Sequence, residues 1–400
     1  MKQVSIVAII FALIQFLAFN AVAGTGPPPP PPPPPPPEIT TPAETTTPQE
    51  ISPPEVNQPP PSVNNSSCAG VSLVSGECSQ TIYGAYGNIA TPVLDLFIDG
   101  VMDGTNTTSR FSGESQSAGD EMVSERFGFY MSGVGTNIDR KITAREVGYD
   151  SDLLGFVAGL DYRFFEEFIA GLSIGYTNSE ANMDLGVGQV DLETVVVLLH
   201  GVYTPTYNIT VNTYAGWSGL NFDSTRTIAG TGSAQSKTDG DQFVAGLSSS
   251  YNFNIGGFTI LPQVSVDYLT SWINGFSEVG AGAANLNVGD QRINSLKTLA
   301  GVNLTYAWSQ NWGVITPHIR VFYLHEFLND NRVINTSPLI GTSTSSGFQT
   351  DNPDRDYVTL AAGISTQLPH SVQLYVDYQR TIAHSYIDSY IVSGGIRVGF

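Results

Sequence analysis

Few residues in this chain have the types and spacing that acid–base chemistry needs. His325 and Glu326 are adjacent and follow Arg320 closely. An imidazole beside a carboxylate can act as a general base when a hydroxyl or water lies within hydrogen-bond reach and a third group orients the ring. The sequence nominates neither that hydroxyl nor that third group. The other histidines, His200, His318, His370 and His384, are dispersed. Cys68 and Cys78 are the only cysteines, and no histidine precedes His200, so metal-ligand spacing is missing. The expectation is a chain that is not an enzyme and takes no cofactor or metal, with a hydrolase as the weakest alternative.

The remaining polar residues sit in a periodic frame. Asp161, Arg163, Asp267, Arg320, Asp377 and Arg397 each fall on one phase of an alternating segment, opposite a phase rich in Leu, Phe, Val and Tyr. Successive strand residues point to opposite faces, so these charges would share one side of a sheet. The last stretch, residues 390–400 (YIVSGGIRVGF), has one greasy phase, Tyr390, Val392, Gly394, Ile396, Val398 and Phe400. Its other phase is small or polar, Ile391, Ser393, Gly395, Arg397 and Gly399. A strand that is apolar toward lipid and polar toward a lumen has this composition.

Twelve such strands are expected, at 126–136, 153–164, 167–178, 194–204, 208–222, 241–254, 257–271, 295–309, 313–327, 356–368, 371–382 and 389–400. The fourth is apolar on both phases. Connections after even strands are short, two or three residues, whereas those after odd strands are long (137–152, 179–193, 223–240, 272–294 and 328–355), with 383–388 modest. Short turns on one side and long loops on the other are the habit of outer-membrane barrels. Aromatics band accordingly. Tyr162, Phe164, Tyr203, Phe253, Phe258, Trp308, Trp312 and Phe400 fall at short-turn ends, and Tyr176, Trp217, Tyr268, Trp272 and Tyr323 toward the other ends. The fold class is therefore all-β, a closed twelve-stranded antiparallel transmembrane barrel. Closure is required because an open edge in lipid leaves backbone groups without partners.

The front of the chain is different. Residues 1–23 read as a secretory signal: Lys2, an apolar core over 4–19, then Ala21-Val22-Ala23, with cleavage between Ala23 and Gly24. Residues 24–62 form a linker that begins with eleven consecutive prolines at 27–37, which favour a stiff polyproline II rod. Residues 63–125 form a short segment. In an exported chain Cys68 and Cys78 are expected to close a small disulfide loop. Within this segment 91–102 is expected to be helical, with Thr91 as N-cap, Pro92 at the first helical position, and Leu94, Phe97, Ile98 and Val101 on one face. Lys+Arg number 16 against 36 Asp+Glu, a net charge of −20, which argues against nucleic acid as a partner.

Residues 126–400 resemble the translocator domain of classical type V autotransporters. The resemblance rests on the strand count, on residues 276–288 (FSEVGAGAANLNV), on residues 317–327 (PHIRVFYLHEF) and on the terminal Arg397-Val398-Gly399-Phe400. It implies a Gram-negative outer-membrane barrel that carries its own N-terminal passenger to the cell surface past a helix threaded through the lumen. It further implies a monomer in outer-membrane lipid, periplasmic chaperones, and assembly machinery that reads Phe400. His325-Glu326 matches a dipeptide found in non-enzymatic members. The usual passenger is a β-helix of several hundred residues, whereas only 24–125 precede this barrel. The alternative within the same fold is a twelve-stranded channel for small solutes.

Overall fold

The computed structural model describes residues 62–63, 76–105, 126–339 and 346–400. The expected signal, the proline rod and Cys68 lie outside the described residues. Twelve long strands build the barrel: β1 (Phe127–Arg140), β2 (Tyr149–Phe165), β3 (Phe168–Met183), β4 (Gly188–Thr206), β5 (Ile209–Ile228) and β6 (Gly232–Tyr251). They continue with β7 (Phe258–Ile273), β8 (Gln291–Tyr306), β9 (Gly313–Glu326), β10 (Asp356–Leu368), β11 (Val372–Ile382) and β12 (Ile387–Gly399). Each pairs antiparallel with its chain neighbours, and β12 returns to pair with β1 from Ile387↔Arg140 to Gly399↔Gly128.

The alternation is that expected of a barrel in lipid. Along β2, Leu154, Phe156 and Leu160 are exposed, while Leu153, Val157 and Asp161 are buried. Along β3, Leu172 and Ile174 are exposed, while Ser173 and Thr177 are buried. Rings line the short-turn end: Phe127 stacks on Phe400 at 6.1 Å and lies 4.8 Å from Tyr162, and Phe258 lies 4.6 Å from Tyr306. At the opposite end Trp217 stacks on Trp272 at 5.8 Å. Short turns face the periplasm in bacterial barrels, so the second end is external.

The external connections depart from expectation. Two of the five long ones are mostly strand, since β3 reaches Met183 and β5 reaches Ile228, and a third is half strand, since β1 reaches Arg140 and β2 begins at Tyr149. Beyond the lipid band the outward phase turns polar while the inward phase, Tyr149, Ala181, Met183, Val190 and Phe222 among it, stays buried, so the greasy outward signal disappears while the hydrogen-bond ladder continues. Two loops stay long, and they fold into a second small sheet. Phe276–Ser277 pairs with Leu286–Val288, which pairs with Val333–Pro338, which pairs with Ser346–Gln349. Ser62–Val63 adds to its outer strand in parallel, Ser62↔Ser346 and Val63↔Gly347.

The helix is longer than expected and begins earlier. Gly76–Ser79 is helical, Gln80–Gly84 is a 3-10 turn, and α1 (Ala85–Thr105) follows. Pro92 lies inside α1, not at its start, and Thr91 is not an N-cap: its Oγ1 donates to the Gly87 carbonyl at 2.8 Å. Proline removes one intrahelical bond and normally costs about 3 kcal/mol in a helix. Burial of the helix in the barrel offsets that cost. No described helix is long and apolar enough to cross a membrane itself.

Candidate functional site

The functional feature is the helix and what holds it. Tyr83, Tyr86, Ile89, Ala90, Val93, Leu96, Phe97 and Val101 are each at most 1% exposed. Their spacing puts an apolar stripe along one side of the helix. The wall that receives it is apolar too: Leu192, Val196 and Leu198 of β4 point inward and belong to the same buried cluster. This accounts for the two greasy phases of β4, one toward lipid and one toward α1. On β3, Gly175 faces Phe97, and a Cβ there would overlap the Phe97 ring. Glycine at 175 is thus the socket for the ring.

The external end of the helical segment is clamped by charge. Glu278, from the first long loop, is fully buried. Arg226 of β5 holds it with two bonds, Nε–Oε1 and Nη2–Oε2, both 2.6 Å. The Tyr83 hydroxyl donates to the same carboxylate, and Leu286 N donates to it at 2.8 Å. Arg226 also donates to Ser79 Oγ at 3.1 Å and to the Ala284 carbonyl at 2.9 Å. One buried ion pair therefore ties helix, barrel and cap together. Tyr86 stacks on Phe222 at 4.5 Å and bonds Ser224 at 2.7 Å.

A second cluster grips the other side. Arg140 pairs with Glu146 at 2.9 Å and Asp351 at 2.5 Å, and Asp351 N donates to Glu146 at 2.7 Å. Arg332 donates to the Gly84 carbonyl at 3.2 Å, and Gln291 donates to the Tyr83 carbonyl at 3.3 Å. Deeper in the lumen, Gln242 of β6 donates to the Ala90 carbonyl at 3.3 Å. Sequence periodicity did not single out Arg226, Glu278, Arg140 or Tyr83. Glu278 did lie within the 276–288 segment that carried the family resemblance.

The polar residues expected to face the lumen fall as follows. Asp161 and Arg397 pair at 2.5 Å, both buried, and Arg397 lies 5.8 Å above the Tyr130 ring. Asp377 binds Arg320 at 2.6 Å and also His318. Asp267 accepts from Tyr214 and from Ser265 at 3.1 Å. Arg163 is half-buried near the short-turn end of β2. The partners described here for the acids are barrel side chains, so these charges satisfy one another across the wall.

His325 and Glu326 point to opposite faces. His325 Nδ1 bonds Asp356 at 2.7 Å on the exposed side. Glu326 is buried and accepts from Ser295 Oγ at 2.5 Å and Leu296 N at 2.9 Å. The dipeptide thus braces β8, β9 and β10, and no serine or threonine hydroxyl is bonded to His325 among the described residues. Cys78 is disulfide-bonded; Cys68, the chain's other cysteine, lies outside the described residues.

Phe400 closes the seam. Its N donates to the Phe127 carbonyl, and Phe127 N donates to its carbonyl, both at 2.9 Å. Removing the ring by Phe400→Ser forfeits about 0.5–1.5 kcal/mol of ring pairing. If Phe400 is also read during assembly, the yield of heat-modifiable folded barrel falls far more than that loss explains. Gel analysis of membranes beside urea unfolding of the recovered barrel separates the two effects.

His384 sits in the turn before β12 at the external rim. His384 Nδ1 accepts from Ile387 N at 3.1 Å and faces Asp354, Arg140, Tyr386 and Tyr357. Burial holds its pKa below the usual histidine value, against the pull of Asp354. A depressed histidine binds fewer protons folded than unfolded, so its contribution is present above the unfolded value, about 6.5, and is lost as pH falls below it. Amide exchange at residues 383–387 should quicken on acidification in the parent and change less in His384→Gln.

A closed twelve-stranded barrel with a helix along its lumen and aromatic girdles at both rims defines an outer-membrane β-barrel. Residues 129–379 match the family described as Autotransporter beta-domain, and the chain belongs to that family. Outer membrane protein A of Rickettsia conorii is 23% identical over 285 residues, covering 68% of this chain and 14% of the relative. The Rickettsia rickettsii protein of that name is 24% identical over 285 residues, covering 68% of this chain and 12% of the relative. The chain thus spans only a small part of those relatives' length. Among solved structures, the translocator domain of the autotransporter NalP from Neisseria meningitidis superposes with TM-score 0.58 at 11% identity, over 79% of this chain and 99% of that one. The β-domain of the Bordetella autotransporter BrkA gives 0.53 at 17%, over 69% and 100%. These identities speak for the fold alone. The protein resides in the outer membrane of a Gram-negative bacterium.

Proposed function

We propose that this barrel carries its own N-terminal segment across the outer membrane and anchors it at the cell surface. One observation carries the reading: the direction of the chain through the barrel. The 76–84 turns lie among Arg226, Glu278 and Arg332 at the external mouth, and α1 descends from there. β1 then begins at Phe127, beside Phe400 on the short-turn side. The external position of the 76–84 turns, and the pairing of Ser62–Val63 with the cap, support exit of the upstream chain by the outer face.

The displayed segment is short. It consists of the proline-rich stretch 24–62, acting as a spacer, and a Cys68–Cys78 loop narrow enough to pass the lumen. Transport draws on barrel folding, with the two charged clusters seating the helix once the segment is through. The assembly machinery reads Phe400, periplasmic chaperones deliver the chain, and the barrel works as a monomer without enzymatic activity of its own. An epitope inserted near Val63 tests this. Antibody labelling of intact cells is the expected result. Labelling only after the outer membrane is permeabilised would put the segment in the periplasm and sink the display reading.

A further inference from the structure

The apolar stripe holds the helix to the wall but does not set its height. Ile82, Tyr86, Ile89, Val93, Phe97 and Val101 recur every three or four residues. A slip of one turn, about 5.4 Å, carries each onto the place of the next. Burial of apolar surface is non-directional, so neighbouring registers differ little in it. On the side away from the stripe the helix borders a cavity of about 310 Å³, which leaves its height free there too. The register has to be fixed by residues outside the periodic pattern.

Two glycines of the helical segment have that character. Gly84 and Gly87 are buried and three residues apart, and no other two glycines between 76 and 105 have that spacing. A Cβ on Gly84 would overlap the Glu146 carboxylate. One on Gly87 would overlap the Arg332 guanidinium, with Ile293 Cδ1 beside it at 2.9 Å. Glu146 comes from the connection after β1 and Arg332 from the connection after β9. Glu146 is buried and pinned, because Arg140 Nη2 at 2.9 Å and Asp351 N at 2.7 Å both hold its Oε2. Arg332 is tied to the same turn by its bond to the Gly84 carbonyl at 3.2 Å. A one-turn slip brings Asn88 and Thr91, or Gln80 and Tyr83, to these two points. Each carries a side chain into space that is already filled, and overpacking of that kind is destabilising.

We infer that Gly84 and Gly87 set the stop register of export: the chain comes to rest where this glycine pair reaches Glu146 and Arg332. The inference rests on the display reading and adds to it the point at which the moving segment halts. Any other stretch of the segment presents a side chain to Glu146 and does not settle there. Arrival of the pair lets Arg332 reach the Gly84 carbonyl and brings Tyr83 level with Glu278 on the opposite side. Phe97 then stands at Gly175. The periodic stripe supplies adhesion, and the glycine pair supplies the address.

The test is a photo-cross-link made in the full-length protein in outer membranes. Azidophenylalanine in place of Phe222 faces Tyr86, whose ring stacks on Phe222 at 4.5 Å. Mass spectrometry of the cross-linked peptides locates the helix residue that it captures, and the parent should give Tyr86. Gly84→Leu should reduce the Tyr86 product by roughly tenfold or more while the barrel stays heat-modifiable. Retention of that product at the parental level would overturn the inference. The pair can also be moved. Gly84→Ala and Gly87→Ala with Asn88→Gly and Thr91→Gly place the glycines one turn later, in a Tyr83→Phe background that removes the competing bond to Glu278. The cross-link should then move from Tyr86 to Ala90. A product that stays at Tyr86, or settles at no single residue, would overturn the inference equally. Surface labelling near Val63 tests display and the cross-link map tests the seat, so either can fail by itself.

Discussion

Replacing Glu278 with alanine is expected to release the external end of the helix. The substitution leaves Arg226 buried beside an empty site, having lost both of its 2.6 Å bonds to the carboxylate. Breaking a buried pair from one side costs about 3–5 kcal/mol. The Tyr83 hydroxyl and Leu286 N lose their acceptor as well. The loss falls on the seating of the helical segment and cap, not on the barrel, whose closure runs through β12 and β1. Amide exchange should rise across 76–90 while β1–β12 stay protected, and the folded barrel should keep its heat-modifiable band. A double replacement, Arg226→Met with Glu278→Leu, removes both charges and should restore much of the protection. Exchange in Glu278→Ala unchanged from the parent would mean that the helix is held by its apolar stripe alone.

Leu172→Arg is expected to abolish most assembly, because it places a charge against lipid. Leu172 is 51% exposed and lies between the Phe168 and Tyr176 rings on the outer face of β3. A cationic side chain near the bilayer midplane costs about 2–4 kcal/mol. The matching change inside the barrel is Ser265→Arg, which enters the cavity beside the helix. Ser173, the inward neighbour of Leu172, is a poorer control: it is 2% exposed and bonded to Tyr130, so an arginine there would also overpack. The yield of folded barrel in membranes should fall steeply for Leu172→Arg and much less for Ser265→Arg. Equal yields would mean that the greasy face does not meet lipid.

The barrel was legible because lipid imposes a strict two-residue period. The tenth strand was expected at 356–368 and runs from Asp356 to Leu368. Where lipid ends, the signal ends. Asp150 and Asp152 of β2, Glu180 of β3 and Glu193 of β4 continue their ladders with a charged outward phase, so no greasy outward phase marks them. The cap escaped notice for a related reason. Its strands are two to six residues long, and the pairing that joins its two hairpins crosses from one loop to another.

The helix was legible in part. Its apolar stripe was visible at Phe97 and Val101, but Pro92 read as a beginning. Proline at a first helical position and proline inside a helix look alike locally. Only the lumen wall, by burying Tyr86, Ile89 and Ala90 upstream, decides between them. The unusual β4 was the clearest hint of that wall. Val196 and Leu198 face inward in a barrel whose inward residues mix polar and apolar side chains, and a helix lies against them. The clamp was not legible, since Arg226, Glu278 and Tyr83 meet across separations that no periodicity encodes.

The account depends most on which side of the membrane the upstream segment occupies. Intact cells treated with a broad-specificity protease, followed by N-terminal sequencing of the membrane-retained fragment, measure this directly. The display reading predicts a fragment beginning between residues 24 and 75, with the 76–105 helix and the strands uncut. A chain that survives from residue 24 until the outer membrane is permeabilised would contradict it.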